Sequence, residues 1–197
     1  MEFQHDKSWK TLKSIFELKL SAKEAWNMFI DFHEQTNPKI YWSNLKDIDI
    51  ETEQVEITEW IEQLITNNPI PKETVAIWIG LLKLADNEIE VPTIYLVGAD
   101  TYDAEDIDWA CEPTYLPENR YGQPALLKEI DEIAKSDEDN YEFLDWILPL
   151  AYSTFTIEEI LRTKLNKRLF LKYHDRINVA VGHDSGDYMD LSCIDKN

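Results

Sequence analysis

Apolar residues recur every three or four positions through the first third of the chain, which is the spacing of one face of an α-helix. We predict three amphipathic helices there, over residues 7–20, 21–36 and 51–68. Ser21 and Glu24 have the spacing of a capping box at the start of the second helix. In the third helix, four glutamates three residues apart predict a solvated negative face: Glu53, Glu56, Glu59 and Glu62.

The pattern changes after residue 71, where β-branched and aromatic residues alternate along the chain. Such alternation is typical of β-strands, so we predict a hairpin in which residues 74–84 pair with 92–99. Asp86 and Asn87 supply the turn of this hairpin. Gly80 lies inside the first strand, where a glycine indicates either a bulge or a close approach of neighbouring chain.

Helical spacing returns over residues 124–136, 140–155 and 156–169, which predicts three more helices. The middle segment is apolar around most of its circumference, so we expect it to lie in the core. Pro149 should kink or end this segment, because proline lacks the amide hydrogen that a helix interior needs. Thr156 and Glu159 have the spacing of a second capping box, which would start the last helix.

A second pair of short strands is predicted within residues 177–194, with turn chemistry at Asp184-Ser185-Gly186. This order of elements predicts an α+β fold: a small, mainly antiparallel sheet built from two β-hairpins and packed against several helices. The chain has 197 residues and no internal repeat, so we expect a single domain over 1–197. Its N-terminal part, about 1–70, should be helical, and the part from about 71–197 should be α+β.

The chain is strongly acidic, since 39 Asp and Glu against 19 Lys and Arg give a formal net charge of −20. Phosphate backbones and anionic lipid surfaces would repel it, which argues against nucleic-acid and membrane partners. A basic protein would be attracted and steered toward it, although many soluble proteins are acidic without such a partner.

The first ten residues lack the apolar core of a secretory signal. Cys111 and Cys193 are the only cysteines in the sequence, and they are typical of free thiols in a reducing compartment. We therefore expect a cytoplasmic protein.

Between Leu84 and Asn119 the chain carries ten acidic residues and no Lys or Arg. Large aromatic residues lie among these acids, and this combination suits a protein-binding face because aromatics anchor interfaces and charge sets specificity and association rate. We predict that Trp109 and Cys111 are buried and anchor a long loop. The candidate partner-binding residues on this loop are Asp100, Asp103, Glu105, Asp106, Asp108 and Glu112.

The acids of this loop do not have the spacing of an EF-hand. Counting from Asp100, Tyr102 stands where the second acidic ligand belongs, and Glu105 replaces the turn glycine. A calcium site of another kind stays an alternative. The four histidines are scattered and neither cysteine has a nearby cysteine partner, so we predict no transition-metal site. The sequence also lacks a phosphate-binding loop and a dinucleotide fingerprint, and we predict no cofactor.

The string GHDSGD at 182–187 contains residue types used in nucleophilic catalysis. Its spacing differs from a nucleophile elbow, and its predicted position between two strands favours a simple turn. We therefore predict no catalytic residues. The alternative is a hydrolase or metal-dependent enzyme with a site assembled from distant residues, for which His183, Asp184 and Asp187 are the first candidates. A structural or adaptor subunit is a third alternative.

Residues 60–122, which include the strings IWIGLL and IYLVGADTYDAEDIDWACEPTYLPENRYG, resemble small, acidic, cytosolic bacterial proteins. Some of those proteins resemble immunity proteins that are encoded beside polymorphic toxins. The resemblance implies a non-catalytic protein that binds and blocks a cognate toxin, and it carries over no residue assignments. An acidic face would suit a basic nuclease toxin, because it could occupy the groove meant for phosphates.

Overall fold

The computed structural model describes residues 3–86, 89–184 and 186–196. Its helices are α1 His5–Glu17, α2 Ala22–Thr36, α3 Tyr41–Asp47, α4 Ile50–Asn67, α5 Ala125–Lys135, α6 Tyr141–Glu159 and α7 Lys167–Phe170. Its strands are β1 Ala76–Asp86, β2 Ile89–Ala99, β3 Tyr121–Gly122, β4 Arg176–His183, β5 Tyr188–Asp190 and β6 Ile194–Asp195. Asp86 of the first predicted turn is the last residue of β1, and Asn87 of that turn and Ser185 of the second predicted turn lie outside the described residues.

The strands form one mixed sheet in the order β3-β2-β1-β4-β5, and β6 also pairs with β4. β1 and β2 are antiparallel over their full length, and β4 and β5 form the second antiparallel pair. These two hairpins confirm the predicted α+β fold with a mainly antiparallel sheet. They are joined by a parallel pairing of β1 with β4, which runs from Ala76 opposite Asn178 to Leu81 opposite His183.

The helices cover one face of this sheet and form the main core with it. Alternate side chains of the central strands point toward the helices and are almost fully buried there, including Ile77, Ile79, Leu96, Val179 and Val181. Alternation of this kind follows from the two-residue period of a β-strand. In the described part of the chain, no helix is both long and apolar enough to cross a bilayer.

Two local predictions for the N-terminal helices have opposite outcomes. The capping box is confirmed, because the Glu24 amide donates to Ser21 Oγ (3.3 Å) and the Ser21 amide donates to Glu24 Oε2 (3.2 Å). The assignment of Glu53 to a solvated face is wrong, since only 4% of this residue is exposed. Its carboxylate accepts the Leu126 amide (2.8 Å) and the Tyr152 hydroxyl, so it caps the start of α5. Burial raises the pKa of Glu53 above its ordinary value.

The predicted boundary near residue 156 is also wrong. α6 continues past Pro149 to Glu159, and a short π-helical segment at Ile160–Lys164 follows it directly. Thr156 is fully buried inside α6 and therefore caps no helix. A proline in a helix interior costs about 3 kcal/mol, but the apolar side chains on both sides of Pro149 are buried and offset that cost.

The imidazole of His33 lies inside a group of aromatic rings on the helical side of the molecule. It is 1% exposed, and its two ring nitrogens have no hydrogen-bond partner among the described residues. Burial lowers the pKa of His33 to about 4, so the ring is neutral at pH 7. Its neighbours, at 4.7–5.8 Å between ring centroids, are Phe3, Phe29, Phe32, Trp42 and Phe143.

We expect His33 to make the fold sensitive to acid. Its pKa is about 4 in the folded chain and about 6.5 when unfolded, so the unfolded chain binds the extra proton between these values. The contribution of His33 to stability is therefore lost as the pH falls from about 6.5 toward about 4. We expect this effect to lower the free energy of unfolding by about 2 kcal/mol at pH 4.5 relative to pH 7. Urea unfolding of wild type and His33→Phe at both pH values measures this change in the free energy of unfolding. The variant has no imidazole at position 33, so its stability should fall less between pH 7 and pH 4.5. Equal pH dependence in the two proteins would contradict the assignment.

Candidate functional site

The second face of the sheet has its own apolar layer, separate from the main core. This layer contains Ala76, Trp78, Val97, Ala99, Trp109 and Ala180. Residues 100–120, which we call the acidic loop, supply the cover on this face. The loop is fastened to the end of β2, where the Gly98 amide donates to the Tyr115 carbonyl (2.9 Å) and the Tyr115 amide donates back to Gly98 (2.9 Å).

One tryptophan holds the acidic loop on the sheet. Trp109 lies in a 3₁₀ turn, Ile107–Ala110, and packs edge-on against Trp78 with the ring centroids 6.3 Å apart. It is 7% exposed, which confirms its predicted burial. The same prediction for Cys111 is wrong, because this thiol is exposed. In this turn Trp109 is buried and Ile107 and Ala110 pack partly buried against the same layer, and Cys111 follows after the turn has ended.

Two glycines make room for large rings on this face. Gly80 and Gly182 lie side by side in the parallel pairing of β1 with β4, and Tyr95 lies opposite Gly80 in β2. A Cβ at Gly80 would stand 2.0 Å from Tyr95 Cε1, and one at Gly182 would stand 2.7 Å from the Trp78 ring. The register of β1 with β2 is unbroken, so of the two predictions for Gly80 the close approach is confirmed and the bulge is not.

A groove of about 530 Å³ runs between the acidic loop and the turn that connects β4 with β5. Its floor consists of Trp78, Tyr95 and Val97 on the outer face of the sheet. Asp108 stands on the loop side and Asp184 on the turn side. The groove therefore combines an aromatic floor with a carboxylate on each of two walls.

A chain of hydrogen bonds fixes the floor to one wall. Trp78 Nε1–H donates to Tyr95 Oη (3.1 Å), and the Tyr95 hydroxyl donates to Asp184 Oδ1 (2.6 Å). Burial, with the added effect of the hydrogen bond to Asp184, raises the pKa of Tyr95 well above its ordinary value. Tyr95 therefore keeps its proton, and the exposed carboxylate of Asp184 is held in one orientation at the rim.

All six acids predicted to bind a partner are exposed: Asp100, Asp103, Glu105, Asp106, Asp108 and Glu112. Within the described residues, none of them forms an ion pair. Two also shape the loop, because Asp103 accepts the Glu105 amide (2.9 Å) and Asp106 accepts the Asp108 amide (3.0 Å). The charge of these residues is thus presented to solvent on a loop that has a defined backbone.

Acids from another part of the chain meet the loop near Tyr188. After burial, the largest causes that raise the pKa of the Tyr188 phenol are the nearby charges of Asp190, Asp106 and Asp103. Asp190 also accepts the Tyr102 hydroxyl at 3.1 Å. Sequence reasoning identified the loop acids but missed the role of Asp184 and Asp190 beside them. The alternation of side chains along β4 and β5 could indicate on which face of the sheet Asp184 and Asp190 lie. Only the tertiary structure shows that the acidic loop packs on the same face.

The residues proposed for the enzyme alternative do not form one buried site. His183 Nε2 lies 2.8 Å from the Trp146 carbonyl oxygen, on the helical side of the sheet. Asp184 bonds to Tyr95 on the opposite face. His183 and Asp184 both line the groove described above, but Asp184 and Asp187 are exposed, so the three residues form no enclosed site. Ser185 lies outside the described residues. Across 3–86, 89–184 and 186–196, no group of three or more His, Cys, Asp or Glu side chains is arranged to hold a metal ion.

Comparison with family models, with curated proteins and with solved structures finds no match for this chain. The geometry of the groove and the loop is therefore the basis on which a function is proposed.

We expect the fit between Gly80 and Tyr95 to contribute to stability. In Gly80→Ala the new methyl group must displace the Tyr95 ring, and overpacking of this kind typically costs about 1–3 kcal/mol. The cost should be smaller when Gly80→Ala is made in a Tyr95→Ala background, because the clashing ring is then absent. Denaturant unfolding of the two single variants and the double variant measures this coupling. Additive effects would show that another contact restricts position 80.

Proposed function

We propose that this protein is a non-catalytic, protein-binding protein of the immunity type, and that it inhibits a basic toxin domain. Its binding surface consists of the acidic loop and the groove beside it. The observation that carries this proposal is the set of exposed carboxylates without ion pairs on the acidic loop, next to an aromatic-floored groove that Asp108 and Asp184 line, on the sheet face that the helices leave uncovered.

The charge of this surface supports a cationic partner. Some acids elsewhere in the molecule are paired, as Asp131 is with Lys83 (2.8 Å) and Lys135 (2.6 Å). The loop acids have no such partner in the described structure, so they repel one another in the free protein. A basic surface would relieve this repulsion and would be steered toward the loop over a range of about 10 Å at 0.1 M salt.

The floor of the groove supports binding by anchored side chains. Tyr95 is an aromatic residue of the type that dominates the centres of protein interfaces, and it is half-buried in the floor above the buried Trp78 layer. Asp108 and Asp184 line the groove beside it. The floor is also held in place before binding, because its hydrogen bonds and glycine contacts are internal to this chain. A preformed surface loses less conformational entropy on binding.

The resemblance of residues 60–122 to small, acidic bacterial proteins, some of which resemble toxin immunity proteins, supports the class of partner. A nuclease toxin binds phosphates through a basic groove, and a row of carboxylates could occupy that groove in their place. An inhibitor of this kind would act in the cytoplasm, where a toxin would otherwise reach nucleic acid.

The proposal is tested by mixing the purified protein with the product of the adjacent gene. We expect a complex on size-exclusion chromatography and loss of the toxin's activity at equimolar ratio. If that product forms no complex and has no toxic activity, the immunity function is wrong.

We expect charge reversal on the loop to weaken this complex at least tenfold. The variant Asp100→Lys, Asp108→Lys, Glu112→Lys leaves Asp103 and Asp106 in place, because those two accept backbone amides. Association should slow most, and it should also become less sensitive to salt. Stopped-flow association and calorimetry measure both quantities.

The matched control makes the same change in net charge on exposed acids of the helical side, with Glu59→Lys, Glu129→Lys and Asp139→Lys. We expect it to alter affinity less than threefold at physiological salt, where charges beyond roughly 8 Å are screened. An equal effect of the two triple variants would show that overall charge, and not the loop, controls binding.

A further inference from the structure

We infer that the groove binds an arginine side chain of the partner, with the guanidinium stacked on the half-buried Tyr95 ring and paired with Asp184. Trp78 is 4% exposed and supports Tyr95 through its hydrogen bond. This inference rests on the proposed function and specifies the chemistry of its central contact.

The position of Asp184 is the first reason. Its Oδ1 accepts the Tyr95 hydroxyl at 2.6 Å, while the residue as a whole stays exposed at the rim of the groove. Within the described residues it forms no ion pair. An exposed carboxylate normally moves between rotamers, but this one is held. A fixed carboxylate next to open space is suited to a planar, two-pronged donor.

The aromatic floor is the second reason. The face of an aromatic ring attracts a cation, most strongly when the cation is partly desolvated in a groove. No Lys or Arg lines this groove in the described structure. His183 does line it, with its Nε2 2.8 Å from the Trp146 carbonyl oxygen, and Asp108 faces the groove from the loop side and Asp184 from the turn side. The groove therefore provides negative potential from two walls and from its floor.

The same outer face already shows this contact within the chain. Arg120 places its guanidinium carbon 4.9 Å from the centre of the Tyr121 ring, and Tyr121 packs beside Tyr95 with the centroids 5.9 Å apart. Tyr121 is paired with Tyr95 across β2 and β3, so the two rings share one face. A partner arginine in the groove would stack in the same way on the neighbouring ring of Tyr95.

Arginine is favoured over lysine for a geometric reason. A guanidinium is flat, stacks on a ring and can donate two parallel hydrogen bonds, whereas an ammonium is a compact, strongly hydrated charge. The groove has a flat floor and an oriented carboxylate at its edge, and this arrangement matches the flat guanidinium. A higher affinity for arginine than for lysine therefore distinguishes this site from general attraction to positive charge.

The test uses the whole protein and three capped hexapeptides in which glycine alternates with arginine, with lysine or with citrulline. We expect the arginine peptide to bind at least fivefold tighter than the lysine peptide of equal charge, and the neutral citrulline peptide to show no measurable binding. Calorimetry gives the affinities. The Trp78 indole resonance, assigned with Trp78→Phe, should shift on titration with the arginine peptide.

Two variants and a matched control locate the site. Asp184→Asn should reduce affinity for the arginine peptide about tenfold, while Asp139→Asn, the same change at an exposed position on the helical side, should leave it within twofold. Tyr95→Phe keeps the ring but releases Asp184, so it should reduce the preference for arginine over lysine. Circular dichroism and thermal unfolding show whether each variant is folded.

Equal affinity for the arginine and lysine peptides, or equal effects of Asp184→Asn and Asp139→Asn, would overturn the inference. If the peptides fail this test but the toxin complex forms and weakens in the loop variant, the proposed function stands and the arginine site is wrong. If the arginine peptide binds as expected but the product of the adjacent gene does not, the arginine site stands and the immunity function is wrong.

Discussion

The sheet has helices on only one of its two faces, and the rest of the structure follows from that constraint. A central strand has apolar side chains on both faces, so the second face must also be covered. Here an irregular loop provides the cover through a single buried tryptophan, Trp109, and by its backbone bonds to Gly98. A loop covers less area than a helix does, and a groove with an aromatic floor is left beside it.

The parallel pairing of β1 with β4 determines what surrounds that groove. It brings the second hairpin against the first, so that Asp184 reaches the Tyr95 hydroxyl although 89 positions separate them in the chain. Gly80 and Gly182 are paired across β1 and β4. Because they lack side chains, the Tyr95 ring packs against Gly80 and the Trp78 ring against Gly182. The same few contacts therefore hold the two hairpins together and fix the floor of the proposed binding surface.

Buried and paired acids have structural roles on the helical side of the molecule. On the helical side, Glu158 pairs with Lys19 (2.7 Å) and Arg162 (3.3 Å) and supports the packing of distant segments. Glu53 is buried as a helix cap, which a run of evenly spaced glutamates did not indicate. On the outer face the six loop acids are exposed and form no ion pair in the described structure. Repulsion among them lowers the stability of the free protein.

Local chemistry predicted the local features correctly. The Ser21–Glu24 box and the long hairpin each depend on contacts between residues close in the chain or on a two-residue period. Predictions from local spacing failed where packing against residues distant in the chain decided whether a side chain is buried. Thr156 has the spacing of a cap, but it lies inside α6 because the apolar surface around it is covered by the core. Cys111 is as apolar as a core residue, but the turn before it ends too soon to bury it.

The sequence by itself therefore determined the α+β class, the two hairpins and the exposed, acidic character of the loop, because side-chain period and charge are properties of short segments. Only the tertiary structure decided that Trp78, Tyr95 and Asp184 share one groove with the loop. That arrangement depends on the pairing of two strands about a hundred residues apart, which leaves no periodic trace in the sequence.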